Sequence, residues 1–325
     1  MSGRWRKAVL VATATLATGM AMPAAAATDP VSLPAFIALE RPKPDLELRY
    51  GPRPAQAIDV FLPPGSVPRP VAILVHGGCW SATTGGREQL RHIGAELARS
   101  GIAVWSIGYR RANEAGGGYP GTYEDIATAV DRLRTEAAGL RLDLSRTVLV
   151  GHSAGGHLAL WAAARDVLPH DSPLRTERPF VPARVISVAG IGDLEAFMPS
   201  IPGICGPGVA ERLTGTASAT RPDPFADTSP AALPAPAARV EMLSGVLDRL
   251  VPPFVAHDHA RAMRAKGKDA ALVNVEGAGH FDFMTPGTPA WDELRRRTEH
   301  ALGVVPAFRV GASNDAATST DRKLR

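Results

Sequence analysis

Cysteine is scarce in this chain of 325 residues: only Cys79 and Cys205 are present. They form no cluster, and no H-E-x-x-H pattern accompanies them, so no metal centre is expected. An oxidising compartment permits a bridge between the two, and the sequence leaves that pairing open. Excess charge of one sign is also missing. The formal net charge is +4, and Arg4, Arg6 and Lys7 supply three of those cations at the head of an apolar stretch. Without that segment the charge falls to about +1, which gives no ground for a nucleic-acid partner. Long hydrophobic runs are lacking after residue 22, so no membrane span is expected in the mature chain. No internal repeat occurs.

The one early apolar run, residues 8–22, is short, rich in Ala and Thr, and ends at Pro23. Pro23-Ala24-Ala25-Ala26-Ala27 then supplies an A-x-A site. This pattern predicts a signal peptide over residues 1–27, cleaved after Ala26 or Ala27, and hence export to the periplasm or medium. No cysteine follows it to carry a lipid. With 45% hydrophobic and 21% charged residues, what remains has an ordinary globular composition. The length allows two domains, but one large α/β sheet domain with insertions also fits.

The sequence is organised around Thr147-Val148-Leu149-Val150-Gly151-His152-Ser153-Ala154-Gly155-Gly156. An apolar strand runs into G-x-S-x-G, and a helix-forming stretch follows. That context makes the pentapeptide a nucleophile elbow, a sharp turn that lifts the serine hydroxyl clear of a sheet. It also sets Ser153 at a helix N-terminus, where peptide dipoles favour developing negative charge.

Around the elbow, strands are expected near residues 46–50, 57–62, 71–75, 102–107, 185–189, 240–243 and 271–275. Helices are expected near 88–100, 124–140, 253–265 and 290–302. The alternation implies a mostly parallel sheet covered on both faces, within a domain spanning residues 28–303. The rhythm fails at about 192–238, rich in Pro, Gly, Ser and Thr, with a short helix possible near 209–213. An insertion that lids or shapes a site at the sheet's C-terminal edge is expected there. Residues 304–325 read as a disordered tail.

A serine hydroxyl is a weak nucleophile until a base takes its proton, and the base needs an acid to orient it. His280, after the last strand and a Gly-rich turn, is the expected base. Asp248, after the preceding strand and before a Val-Pro turn, is the expected acid. Asp193 and Asp282 are its rivals. Oxyanion donors are expected from Ala154 and from the turn at Gly77 and Gly78, where missing side chains let backbone approach substrate. Trp80 and His152 read as packing and pocket-shaping residues.

Taken together, His76-Gly77-Gly78-Cys79-Trp80, the elbow, Asp248 with its Val-Pro, and Gly279-His280 resemble the α/β-hydrolase superfamily. More narrowly they resemble its secreted esterase and kynurenine-formamidase-like branch, as do Tyr109-Arg110-Arg111 and residues 118–125. The resemblance covers roughly residues 45–303. It implies an α/β-hydrolase fold and carboxylic ester hydrolysis on a small-molecule ester, without a cofactor. The alternatives are an amidase (arylformamidase-like or prolyl-oligopeptidase-like) or a non-enzymatic binding protein on the same scaffold. The missing propeller-sized region counts against a prolyl-oligopeptidase, and the complete triad counts against a binding protein. Acyl and alcohol preference and oligomeric state stay open.

Two decoys fall away. Residues 116–121 satisfy G-x-G-x-x-G, but a polar loop separates them from the strand, and no acid placed for a ribose follows. His257-Asp258-His259 lacks further ligands and reads as a solvated helix face.

Overall fold

The computed structural model describes residues 29–304, apart from Ser66 and Asp269. The signal-peptide expectation over 1–27, and the tail expectation beyond Val304, fall outside the described residues.

Eight strands form one sheet: β1 (Leu46–Arg49), β2 (Ala57–Phe61), β3 (Arg69–Val75), β4 (Ala103–Ile107), β5 (Leu142–His152), β6 (Arg184–Val188), β7 (Arg239–Gly245) and β8 (Ala270–Val275). Their order is β1-β2-β4-β3-β5-β6-β7-β8. The first two pair antiparallel, and β2 meets β4 antiparallel. All other pairings are parallel. Helices α1 (Leu33–Ile37), α2 (Arg91–Arg99), α3 (Gly121–Asp131), α4 (Leu133–Leu140) and α5 (Ala154–Ala162) precede an insertion. The insertion carries α6 (Leu194–Phe197), α7 (Ile201–Cys205) and α8 (Val209–Thr214). Two long helices, α9 (Pro253–Ala265) and α10 (Pro289–Ala301), flank β8 at the end of the described residues. This is the α/β-hydrolase fold.

Strand alternation divides the core between the two faces of the sheet. On β3, Val71, Ile73 and Val75 join one buried cluster, while Ala72 and Leu74 join the other. Side chains of successive strand residues point to opposite faces, so a strand buried on both reads as a continuous apolar run. Helix α5 is buried along its whole length, as a helix without a polar face must be.

Three departures from the expected elements have local causes. The helix expected over 88–100 begins as a 3₁₀ turn, Arg87–Leu90, before α2. Arg87 and Arg91 are both drawn onto the buried Asp59 carboxylate, at 2.9 and 2.6 Å. The helix expected over 124–140 is two helices, because the chain tightens at Arg132, whose carbonyl accepts from Thr135 N–H three residues on. His257-Asp258-His259 is only half solvated: His257 is exposed, whereas His259 is buried where α9 meets Gly192. The reading of both histidines as a solvated face is thus corrected for His259.

Burial holds several imidazoles neutral. It pushes the pKa of His76, His157 and His259 down to about 4, and that of His152 to about 3. In the unfolded chain each ring binds its proton near pH 6.5. Between those values the unfolded state therefore holds more protons than the folded one, and stability falls as pH drops from 6.5 towards 4. Denaturant titrations at steps across that interval should lose more than about 1.4 kcal/mol per pH unit, the slope for one proton. A flat profile would mean that these rings are not held neutral in the native core.

Candidate active site

Strand register brings the expected residues to one edge. In the parallel β3–β5 pair, Val75 lies opposite Gly151, so the turn after β3 meets the turn after β5. In the β7–β8 pair Gly245 lies opposite Val275, so the loops carrying Asp248 and His280 leave side by side.

The elbow at Ser153 is built by exclusion. Ser153 itself sits at φ 54° and ψ −120°, a backbone state that costs an L residue of order 1–3 kcal/mol. The surrounding contacts enforce it. A Cβ on Gly151 would lie 2.1 Å from the Gly155 carbonyl oxygen, and one on Gly155 would lie 2.1 Å from that of Val75. The Ser153 N–H donates to the Val188 carbonyl at 2.8 Å, tying the turn to β6. The side chain stands at the N-terminus of α5 and lines a cavity of about 190 Å³.

Opposite it runs the turn at His76-Gly77-Gly78. A Cβ on Gly77 would come within 3.1 Å of Ser153 Cβ and 2.9 Å of the His152 carbonyl oxygen, so only glycine lets this backbone lie so close to Ser153. Gly78, Cys79 and Trp80 all take positive φ. The turn is clamped from several sides. Tyr109 Oη donates to the His76 carbonyl at 2.9 Å, and the His76 and Tyr109 rings stack at 4.3 Å. Cys79 and Cys205 form a disulfide that ties the turn to α7 of the insertion. The pairing the sequence left open is formed. Trp80 is fully buried and packs edge-on against His157.

His280 and Asp248 form a buried pair, Nδ1 to Oδ2 at 2.7 Å. The other carboxylate oxygen accepts the backbone N–H groups of Leu250 and Val251 at 2.8 and 2.9 Å. Those bonds fix the carboxylate before it meets the ring. The two loops are also laced together, with Val246 N–H donating to the Val275 carbonyl and Leu247 N–H to the Ala278 carbonyl. His280 and Ser153 line the same cavity, with no direct hydrogen bond between their side chains. Such bonds are often long in an unliganded site and tighten around a substrate.

The neighbours have separate tasks. His152 Nε2 donates to the His280 carbonyl at 2.9 Å, so its ring supports the His280 backbone. Burial, with the nearby His280 ring adding to it, holds that imidazole neutral. Asp193 caps α6 by accepting the Ala196 N–H at 3.0 Å. Asp282 accepts the N–H groups of Gly279 and Val31 at 3.0 and 3.1 Å, and so braces the turn that carries His280.

Sequence reasoning missed the cavity wall. Leu33 and Phe36 from α1, Phe197 and Ile204 from the insertion, and Leu250 and Phe281 close in sequence to Asp248 and His280 all line it. The insertion therefore shapes the cavity, as its position suggested. Among the described residues no group of three potential metal ligands gathers, and no helix is long and apolar enough to cross a membrane. The decoy at residues 116–121 is a packed turn: a Cβ on Gly117 would strike the Arg111 carbonyl oxygen, and one on Gly121 that of Gly116.

Known proteins share this architecture. Apo esterase 2 of Thermogutta terrifontis superposes with a TM-score of 0.65 at 22% identity, over 83% of this chain and 98% of that one. A truncated carbohydrate esterase from gut microbiota gives 0.63 at 21%, over 79% and 95%. At these identities the likeness concerns the fold alone. In sequence, the kynurenine formamidase of Danio rerio is 27% identical over 154 residues, 47% of this chain and 48% of that protein. The chain spans about half or less of the length of the curated relatives it matches first. Residues 58–260, more than half of the chain and including the Gly77–Gly78 turn, the turn at Ser153 and Asp248, match the sequence model of one family, and the chain belongs to it: BD-FAE.

Proposed function

We propose that the protein is an exported serine hydrolase that cleaves carboxylic esters through an acyl-enzyme. The observation that carries this reading is the convergence, in one apolar cavity, of a serine in a forced positive-φ turn and a buried His–Asp pair. Ser153 Oγ attacks the ester carbonyl while His280 Nε2 takes its proton. Asp248 holds the Nδ1–H and stabilises the imidazolium. The N–H groups of Ala154 and of the Gly77–Gly78 turn receive the developing oxyanion, with the α5 N-terminus behind them. His280 then returns the proton to the leaving alcohol, and water attacks the acyl-enzyme by the same route in reverse.

A formamidase reading has in its favour the 27–32% identity to three kynurenine formamidases, that of Danio rerio among them. Against it, among the described residues no Asp, Glu, Lys or Arg lines the cavity to meet the charged end of an amino-acid substrate. The purified protein should therefore turn over p-nitrophenyl acetate with kcat/KM at least tenfold above that for N-formylkynurenine. The reverse order would make it a formamidase.

A further inference from the structure

We propose that residues 30–36, which precede the sheet, complete the substrate site as one wall of an apolar subsite, and that this subsite takes an uncharged ester group of up to about phenyl size. The inference rests on the hydrolase reading and deepens it.

The segment is built to sit there. Ser32 caps α1 by accepting the Ala35 N–H, and proline in the first turn presets the helical φ. Val31 N–H then donates to the Asp282 carboxylate, the same oxygen that accepts from Gly279 N–H. A Cβ on Gly279 would lie 2.6 Å from Pro30 Cβ, so the His280 turn and this segment are in close contact. Phe36 is buried and stacks on Phe281 at 5.2 Å, while Phe281 lies edge-on to His280 at 5.0 Å. A segment more than two hundred residues away in sequence thus packs on the catalytic turn.

Its other face looks into the cavity. Leu33 and Phe36 stand among Phe197, Ile204, Leu250 and Phe281, and among the described residues no charged side chain lines the space. A volume of about 190 Å³ is somewhat larger than the roughly 150 Å³ cavity that holds benzene in an engineered protein core. A charged group there would lose its hydration without gaining a partner, whereas an apolar group gains in proportion to the area it buries. Leu33 is 47% exposed, which puts it at the mouth, where it meets the incoming group.

Leu33→Asp tests this without a core defect, and Ile37→Asp places the same charge on the same helix at a residue that does not line the cavity. By pH-stat, ethyl acetate is compared with ethyl hexanoate and with hexyl acetate, so that the apolar group is lengthened on either side of the ester. Leu33→Asp should lower the kcat/KM ratio of a longer ester to ethyl acetate by about tenfold, chiefly through KM, and Ile37→Asp should leave the ratio within about twofold. Phe36→Ala should flatten the chain-length profile as well. Calorimetric binding of n-butylbenzene reads the wall without turnover, and Leu33→Asp should weaken it by about tenfold. Ratios and butylbenzene affinity unmoved by Leu33→Asp, or moved equally by Ile37→Asp, would overturn the proposal. Butylbenzene binding that responds to Leu33→Asp in a protein that cleaves no ester would spare the subsite and fault the hydrolase reading instead.

Discussion

Ser153→Ala should lower kcat by roughly 10⁴ or more while the fold stays intact. The hydroxyl makes no capping bond to the helix that follows it, so its removal breaks no structural contact there. Alanine keeps the Cβ, and the strain at φ 54° is unchanged. What disappears is the atom proposed to attack. Residual turnover would come from the oxyanion donors and the bound water alone, which is why the loss is large yet finite. A fluorophosphonate should label the wild-type protein at Ser153 and leave the variant unlabelled, with matching melting curves for both. A label on any other residue, or turnover within tenfold of wild type, would remove Ser153 from the reaction.

The elbow was legible because its geometry is local. Gly151, Gly155 and the strand before them lie together around Ser153 in the sequence, and a Cβ on Gly151 would already strike the Gly155 carbonyl oxygen within that turn. The order of Asp248 and His280 was legible for a related reason: each follows its own strand, and parallel strands deliver their ends to one edge. The cavity wall was not legible. Phe36 reaches His280 only through Phe281, and nothing in Leu33-Pro34-Ala35-Phe36 announces a partner so far along the chain. Helices α6 and α7 were missed because four and five residues are too few to show a period of 3.6. The disulfide needed distance information that spacing does not carry. His259 was misjudged because its burial depends on Gly192, at the start of the insertion, where the missing side chain leaves room for the ring.

The insertion and residues 30–36 approach the cavity from different parts of the chain, and both are anchored beside the groups proposed to react. Cys205 ties the first to the Gly77–Gly78 turn, and Asp282 ties the second to the His280 turn. Groups that select the substrate are therefore coupled to groups that would stabilise charge and move the proton. Sub-ångström placement at such sites matters because the donors must meet the oxyanion rather than the ground-state carbonyl.

Asp248→Asn should cost roughly 10³ to 10⁴ in kcat, with a much smaller change in KM. In the native pair the carboxylate oxygen Oδ2 accepts from His280 Nδ1, while Oδ1 accepts from Leu250 and Val251 N–H. An asparagine can keep the second set of bonds through its carbonyl oxygen. Its amide nitrogen then faces Nδ1 as a donor and forces that ring atom to accept. The remaining ring proton moves to Nε2, the atom that must take the proton of Ser153, so the base is in the wrong tautomer while the geometry is preserved. Asp193→Asn supplies the contrast. Asp193 caps a four-residue helix, and an asparagine caps nearly as well, so kcat should stay within a fewfold of wild type. Steady-state kinetics of both variants on one ester, with melting curves to confirm folding, separate the two roles. If Asp193→Asn proves the more damaging to kcat while Asp248→Asn stays near wild type, Asp248 is not the orienting acid, and the 2.7 Å pair with His280 serves the fold alone.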